Sequence, residues 1–174
     1  NATDIGIIVG TSEGALGTCC DFQSMITEKG NASGSAFKFP NTVYNAAGGY
    51  LSICSGIKGY NVTVTNGAQS GLASMAYAMS VLRSGQENAM LATGSDENSD
   101  IMTELFGKLG VTSESVVTPF AGNDGFVLSD GSASVLIEDE KAARERGARI
   151  YCHAVGYGMA HSNVKLGTIT GSEA

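Results

Sequence analysis

The stretch Thr63 to Met79, "TVTNGAQSGLASMAYAM", begins as a β-branched strand and passes through a glycine-bearing elbow into a helix of small residues. An elbow of this kind lifts one side chain to the start of a helix. There, backbone N–H groups without intrahelical acceptors and the positive end of the helix favour an anionic nucleophile. The apex here reads Gly67, Ala68, Gln69, Ser70, Gly71. Neither the methyl of Ala68 nor the neutral amide of Gln69 is a nucleophile. Ser70 lies two positions beyond Ala68, about 200° around the helix axis, with no base in sight, and is read as bonding backbone or capping the helix.

The remaining nucleophiles and ligands give little more. Cys19 and Cys20 fall in a first helix and Cys54 in another, where buried packing is the expected role. The four cysteines have no CxxC spacing and there are only two histidines, His153 and His161, so no zinc constellation and no cofactor site is expected. Reduced thiols in a cytoplasmic protein are the favoured reading.

The elements that must hold the elbow can be traced along the chain. "DIGIIVG" is a short apolar run suited to a strand buried on both faces. Ala15 to Thr27 fits a helix with Phe22, Met25 and Ile26 on one side, ended by Gly30. "TVYNAAGGYLSICSGI" reads as a second helix, Asn61 to Thr65 as a strand, and "AMLATG" as the next buried strand. The helix after the elbow carries Leu72, Met75, Ala76, Met79 and Leu82 at helical spacing, and its other faces are small and nearly as apolar. It is expected to be buried on most sides. A helix from about Ser99 to Leu109, a loop "TPFAGNDGFVLSDG", a strand "SASVLIED", a helix "EKAARER" and a strand "RIYCHAVGYG" complete the alternation. The pattern predicts a layered α/β domain over residues 1–174.

Composition narrows the function classes. A formal charge of −7 opposes binding to a nucleic-acid backbone, and the basic cluster Lys141, Arg144, Arg146 and Arg149 reads as a solvated helix face. No apolar run approaches the ~18 residues that span a bilayer, so no membrane partner is expected. The first residue is not methionine, and "TITGSEA" closes no element; a piece of a longer chain is expected.

Taken together, "GIIVGTSEGAL", "FPNTVYNAAGGYLSICSGIKGYNVTVTNGAQSG", "MAYAMSVLRSGQENAMLATGSDE", "TPFAGNDGFVLSDGSASVLIEDEKAARERGARI" and "VGYG" resemble, in order and spacing, the β-ketoacyl-acyl-carrier-protein synthases of the thiolase superfamily. The resemblance implies a thiolase-like layered fold, a mixed sheet with a buried central helix. It also implies a cysteine nucleophile at the start of that helix, two histidines in a C-terminal half that this sequence does not contain, and a carrier protein as acyl donor. Counted back from "RSGQENAMLATG", the cysteine position falls on Ala68; one gap would place Gln69 there, as in chain-length-factor subunits and decarboxylating loading synthases. On the same basis Asp124, Phe126 and Asp130 are expected to support the site, with Ala121 and Asn123 departing from the family. The strand Asn61, Val62, Thr63, Val64, Thr65 is expected to pair with its counterpart in a homodimer or in a heterodimer with a ketosynthase.

Three readings stay open at this point. The chain is a non-condensing, chain-length-factor-like partner of a ketosynthase dimer. Alternatively it is a diverged or decarboxylating acyltransferase whose acid and base groups lie in a missing half, or a non-catalytic structural fragment.

Overall fold

The computed structural model describes residues 5–113, 117–118 and 125–160. They fall into two compact units, one drawn from residues 5–97 and 130–155 and the other from 98–129 and 156–160. The first unit contains a four-stranded sheet made of β1 (Ile5–Gly10), β2 (Asn61–Val64), β3 (Ala89–Asp96) and β4 (Gly131–Glu138). Their order is β2-β1-β3-β4, with β1 parallel to β2 and β3 and with β4 antiparallel to β3.

β1 is central, and its continuous apolar run follows from burial on both faces: Ile7 and Ile8 are fully buried and Val9 nearly so. Side chains alternate along it. Ile8 joins Met90 and Ala92 of β3 and Ala78 and Val81 of α3 (Ser70–Arg83) in one apolar cluster. Towards the other face, Val9 lies close to Gly48 of α2 (Ala46–Ser55), where a Cβ would come 3.4 Å from the valine methyl. Asn61 Nδ2 donates to the Gly48 carbonyl at 3.0 Å and ties α2 to β2. Gly48 therefore has the packing purpose that its low helix propensity suggests, whereas a Cβ on Gly49 would meet nothing within 4 Å.

α1 (Leu16–Lys29) ends at Gly30, whose φ of 83° suits glycine and whose N–H donates to the Ile26 carbonyl. Phe22, Met25 and Ile26 are half-buried, and Phe22 packs on Phe39 with ring centroids 5.9 Å apart. The second unit contains α4 (Asp100–Leu109), with Phe106 edge-on to Phe126 at 5.3 Å. α5 (Glu140–Glu145) returns to the first unit, N-capped by Asp139, whose carboxylate accepts from the amides of Lys141 and Ala142. Its basic residues are paired on the surface: Arg144 with Glu140, Lys141 with Glu145, and Arg146 with Glu138, while Arg149 stacks over the Tyr151 ring. The basic cluster is thus a solvated, self-neutralised helix face.

Three expectations need correction. Residues 149–158 form no strand and pair with none of the four strands of the sheet. α3 buries Ser70, Ala73, Ser74, Ala76, Ala78, Met79 and Val81, but among the described residues Leu72 is left 72% and Tyr77 50% exposed. Cys19 and Cys54 are exposed and Cys20 is half-buried, so these thiols are not core residues; helical position alone does not tell which face is covered.

Candidate functional site

The elbow stands where three parallel strands end. β2 stops at Val64, and the chain turns through Asn66 and Gly67 before α3 begins. Gly67 adopts φ +56°, a left-handed conformation that costs glycine little. The Gln69 amide donates back to the Asn66 carbonyl at 3.3 Å, and the Ser70 amide to the Gly67 carbonyl at 3.0 Å. Ser70 is only 2% exposed, and its hydroxyl ties the turn together. It donates to the Gly67 carbonyl at 2.6 Å and accepts the Asn66 N–H at 2.8 Å. Both bonds go to the backbone of the turn, the bracing role expected of this serine.

Ser70→Ala is therefore expected to leave the Asn66 N–H without its acceptor and to destabilise the unit by about 1–3 kcal/mol. Urea unfolding followed by circular dichroism would measure it; a shift within experimental error would show that water replaces the hydroxyl at no cost.

α3 can start this close to the sheet because of three glycines. Gly10 and Gly94 are register partners at the ends of β1 and β3. A Cβ on Gly10 would lie 2.0 Å from the Ser70 carbonyl oxygen, and one on Gly94 would lie 3.1 Å from the Gly71 Cα. The first turn of α3 thus rests on bare backbone. Ala68 and Gln69, by contrast, are exposed at the apex of the turn. The Gln69 amide faces into the elbow, so the first-turn N–H groups of α3 without an intrahelical acceptor are those of Gly71 and Leu72.

Beside the elbow, at the same ends of β1 and β3, lies a second polar assembly. Asp96 ends β3 and gathers in the loop that follows β1. Its Oδ1 accepts from Thr11 Oγ1 at 2.6 Å and from the Ser12 and Glu13 amides at 2.8 and 3.3 Å, and its Oδ2 accepts from Ser12 Oγ at 2.9 Å. Thr11 Oγ1 in turn accepts the Gly14 N–H at 2.9 Å. Burial pushes the Asp96 carboxyl up, but the hydrogen bonds from Thr11, Ser12 and Glu13 outweigh it and hold the group below its ordinary value. Glu13 is shifted the other way, raised by burial and then by the Asp96 charge, and its Oε2 is buried without a hydrogen-bond partner.

These shifts have opposite consequences. The Asp96 contribution is fully present above its unfolded value of about 3.9 and is lost as pH falls through the lower folded value. Glu13 favours the folded state when protonated, so its contribution declines as pH rises through its folded value, above about 4.3. Asp96→Asn is expected to cost about 2 kcal/mol near neutral pH, shrinking as acid protonates the wild-type carboxylate. Glu13→Gln is expected to help near neutral pH and to change little in acid. Stability measured against pH for both variants checks the signs, and parallel curves would refute them.

The other anticipated residues fall unevenly. Asp130 directly precedes β4, whose Gly131 is the register partner of Asp96, so it stands at the same end of the sheet. Phe126 belongs to the second unit, its amide donating to the Val111 carbonyl at 3.2 Å and its carbonyl accepting the Ser113 N–H at 2.9 Å. Asp124, like Ala121, Asn123 and His161, lies outside the described residues. β2 comprises Asn61 to Val64, with Thr65 just beyond, and among the described residues it pairs only with β1, leaving its other edge open. No cluster of three or more metal-ligating side chains occurs among the described residues. The Asp96 assembly was missed in the sequence, although polar runs directly after two buried strands, "GTSEG" and "TGSDE", are its signal.

A family model for the N-terminal domain of β-ketoacyl synthase matches residues 1–143. The chain belongs to the β-ketoacyl synthase family. It is 32% identical over 167 residues to 3-oxoacyl-[acyl-carrier-protein] synthase 2 of Vibrio harveyi, an alignment covering 91% of this chain and 40% of the relative. The chain thus spans about two-fifths of the length of the curated relatives it matches. Among solved structures, it is similar to the ishigamide ketosynthase/chain length factor, with TM-score 0.62, 26% identity, and coverage of 80% of this chain and 37% of that one. It also shares the fold of a type II PKS ketosynthase bound to a hexaketide and in complex with its acyl-carrier protein. There the TM-score is 0.76 at 21% identity, over 87% of this chain and 40% of that one. The fold of this β-ketoacyl synthase homologue is thereby the thiolase-like α/β architecture, with a mixed sheet. Among the described residues no helix is long and apolar enough to cross a membrane.

Proposed function

We propose that this chain is the N-terminal-type portion of a single ketosynthase-like domain and that it works as the non-condensing partner in a cytoplasmic ketosynthase dimer of fatty acid or polyketide biosynthesis. The observation that carries this reading is the elbow. Its strand, left-handed glycine and helix start are intact and braced by Ser70, yet the exposed apex holds Ala68 and Gln69, neither of which can accept an acyl chain. The open edge of β2 supports a partner, since an unpaired strand edge in a folded protein is a template for antiparallel pairing with a second subunit. The partner is a ketosynthase that supplies the cysteine, and acyl carrier protein delivers the chain to it. Asp124, Phe126 and Asp130 would then support the shape of the site and take no part in bond making.

The test incubates the full-length protein, alone and with a co-purified ketosynthase, with acyl- and malonyl-carrier protein. Intact mass reports acylation and gas release reports decarboxylation. The expected result is acylation of the ketosynthase only. Stable acylation of this chain would sink the proposal. Carbon dioxide released by this chain alone would favour a decarboxylating enzyme, and absence of any interaction with carrier protein or ketosynthase would leave a structural fragment.

A further inference from the structure

We infer that Asn66 is a site of spontaneous covalent modification, by cyclisation onto the backbone nitrogen of Gly67. Asn66–Gly67 is the sole Asn-Gly pair in the sequence. In such a pair the following residue has no Cβ to shield its backbone nitrogen from the carboxamide carbon. The structure leaves this pair accessible. Both residues are exposed, and nothing lies within 4 Å of where a Cβ on Gly67 would stand.

The Asn66 carboxamide makes no hydrogen bond among the described residues, whereas Asn41 accepts from Tyr50 and Asn61 donates to Gly48. The Asn66 backbone is meanwhile held in place, its N–H by Ser70 Oγ and its carbonyl by the Gln69 amide. Among the described residues no hydrogen bond holds the carboxamide away from the Gly67 nitrogen. The turn folds over the start of α3, and the positive end of the helix favours the negative charge that develops on the carboxamide oxygen and that remains in the product.

The step balances without any co-reactant but water. The Gly67 nitrogen bonds to Asn66 Cγ, the Cγ–Nδ2 bond breaks, and the proton lost by Gly67 leaves with Nδ2 as ammonia. Water then opens the cyclic imide at either carbonyl, giving aspartate or isoaspartate. The second product inserts a methylene into the backbone of the elbow and breaks the spacing that lets Ser70 brace it. Conversion would therefore age the elbow irreversibly.

Full-length protein held folded in mildly alkaline buffer is sampled over time, with ammonia release, peptide mass mapping and isoaspartate-specific methyl labelling as readouts. The expected result is loss of one ammonia per chain, mapped to Asn66, with both acids present and isoaspartate label appearing in step. Asn66→Gln, whose longer side chain would have to close a larger ring, should abolish the release. Since the Asn66 side chain holds nothing, the variant should fold, which circular dichroism verifies. The inference is overturned if Asn66 stays intact in the folded protein while a peptide of residues 60–75 converts in the same buffer. It is equally overturned if the ammonia maps elsewhere.

Discussion

Gly10→Ala should cost the first unit about 3 kcal/mol or more, among the largest losses any single methyl could cause in this chain. The new Cβ would lie 2.0 Å from the Ser70 carbonyl oxygen and 2.4 Å from its carbon. Both are backbone atoms at the start of a helix, so no rotamer change relieves the clash. Either α3 lifts from the sheet or β1 shifts in register against β3, and each movement uncovers the cluster of Ile8, Ala78, Val81, Met90 and Ala92. Gly94→Ala provides the scale. Its Cβ would stand 3.1 Å from the Gly71 Cα, a contact that a movement of a few tenths of an ångström relieves, so its cost should be nearer 1 kcal/mol. Denaturant midpoints of the two variants give the comparison. If Gly10→Ala unfolds within about 0.5 kcal/mol of the parent, α3 does not rest on β1 as described.

Ala68→Cys is expected to create a thiol that ionises below the ordinary cysteine value of about 8.5. The residue is exposed at the apex of the elbow, and the first-turn amides of Gly71 and Leu72 and the positive end of α3 stand beside it. The first unit of depression raises the thiolate fraction at pH 7 about eightfold and later units progressively less, and alkylation mapped peptide by peptide reads this directly. Cys19 in α1 and Cys54 in the last turn of α2 are exposed thiols in the same chain and serve as references. A cysteine at 68 that reacts with the same pH profile as Cys19 would show that the elbow no longer activates a nucleophile. The proposed function would then rest on the missing side chain and a degraded mount together. A depressed value would show that the elbow can still activate a nucleophile.

Much of the architecture is legible from local pattern. β1 and β3 are recognisable because a strand covered on both faces must be apolar without interruption. The ends of α1 and α3 are marked by Gly30 and Gly85, which take left-handed or turn conformations that other residues resist. The elbow is legible because a β-branched strand, a glycine and a run of small helix formers occur in immediate succession. Residues 149–158 show the limit of such reasoning. Their β-branched and aromatic content is that of a strand, but a strand exists only against a neighbour, and sequence pattern cannot supply one.

The resemblance of the motifs carries an expected nucleophile position to Ala68 or, with one gap, Gln69, but nothing local places Thr11 against Asp96, a hydrogen bond across 85 residues of chain. What the sequence by itself determined is the succession of strands and helices, the elbow, and the absence of a thiol from it, because these depend on residue type and short-range spacing. Tertiary structure alone decided that Gly10, Gly71 and Gly94 meet under the start of α3, that Asp96 closes the neighbouring loop, and that β2 stands at the edge of the sheet among the described residues. It also decided that Leu72 and Tyr77 are left partly exposed among the described residues. Each of these is a contact, or the lack of one, between segments far apart in the chain. Periodicity records which residues need cover, but only the packed sheet and helix establish what covers them.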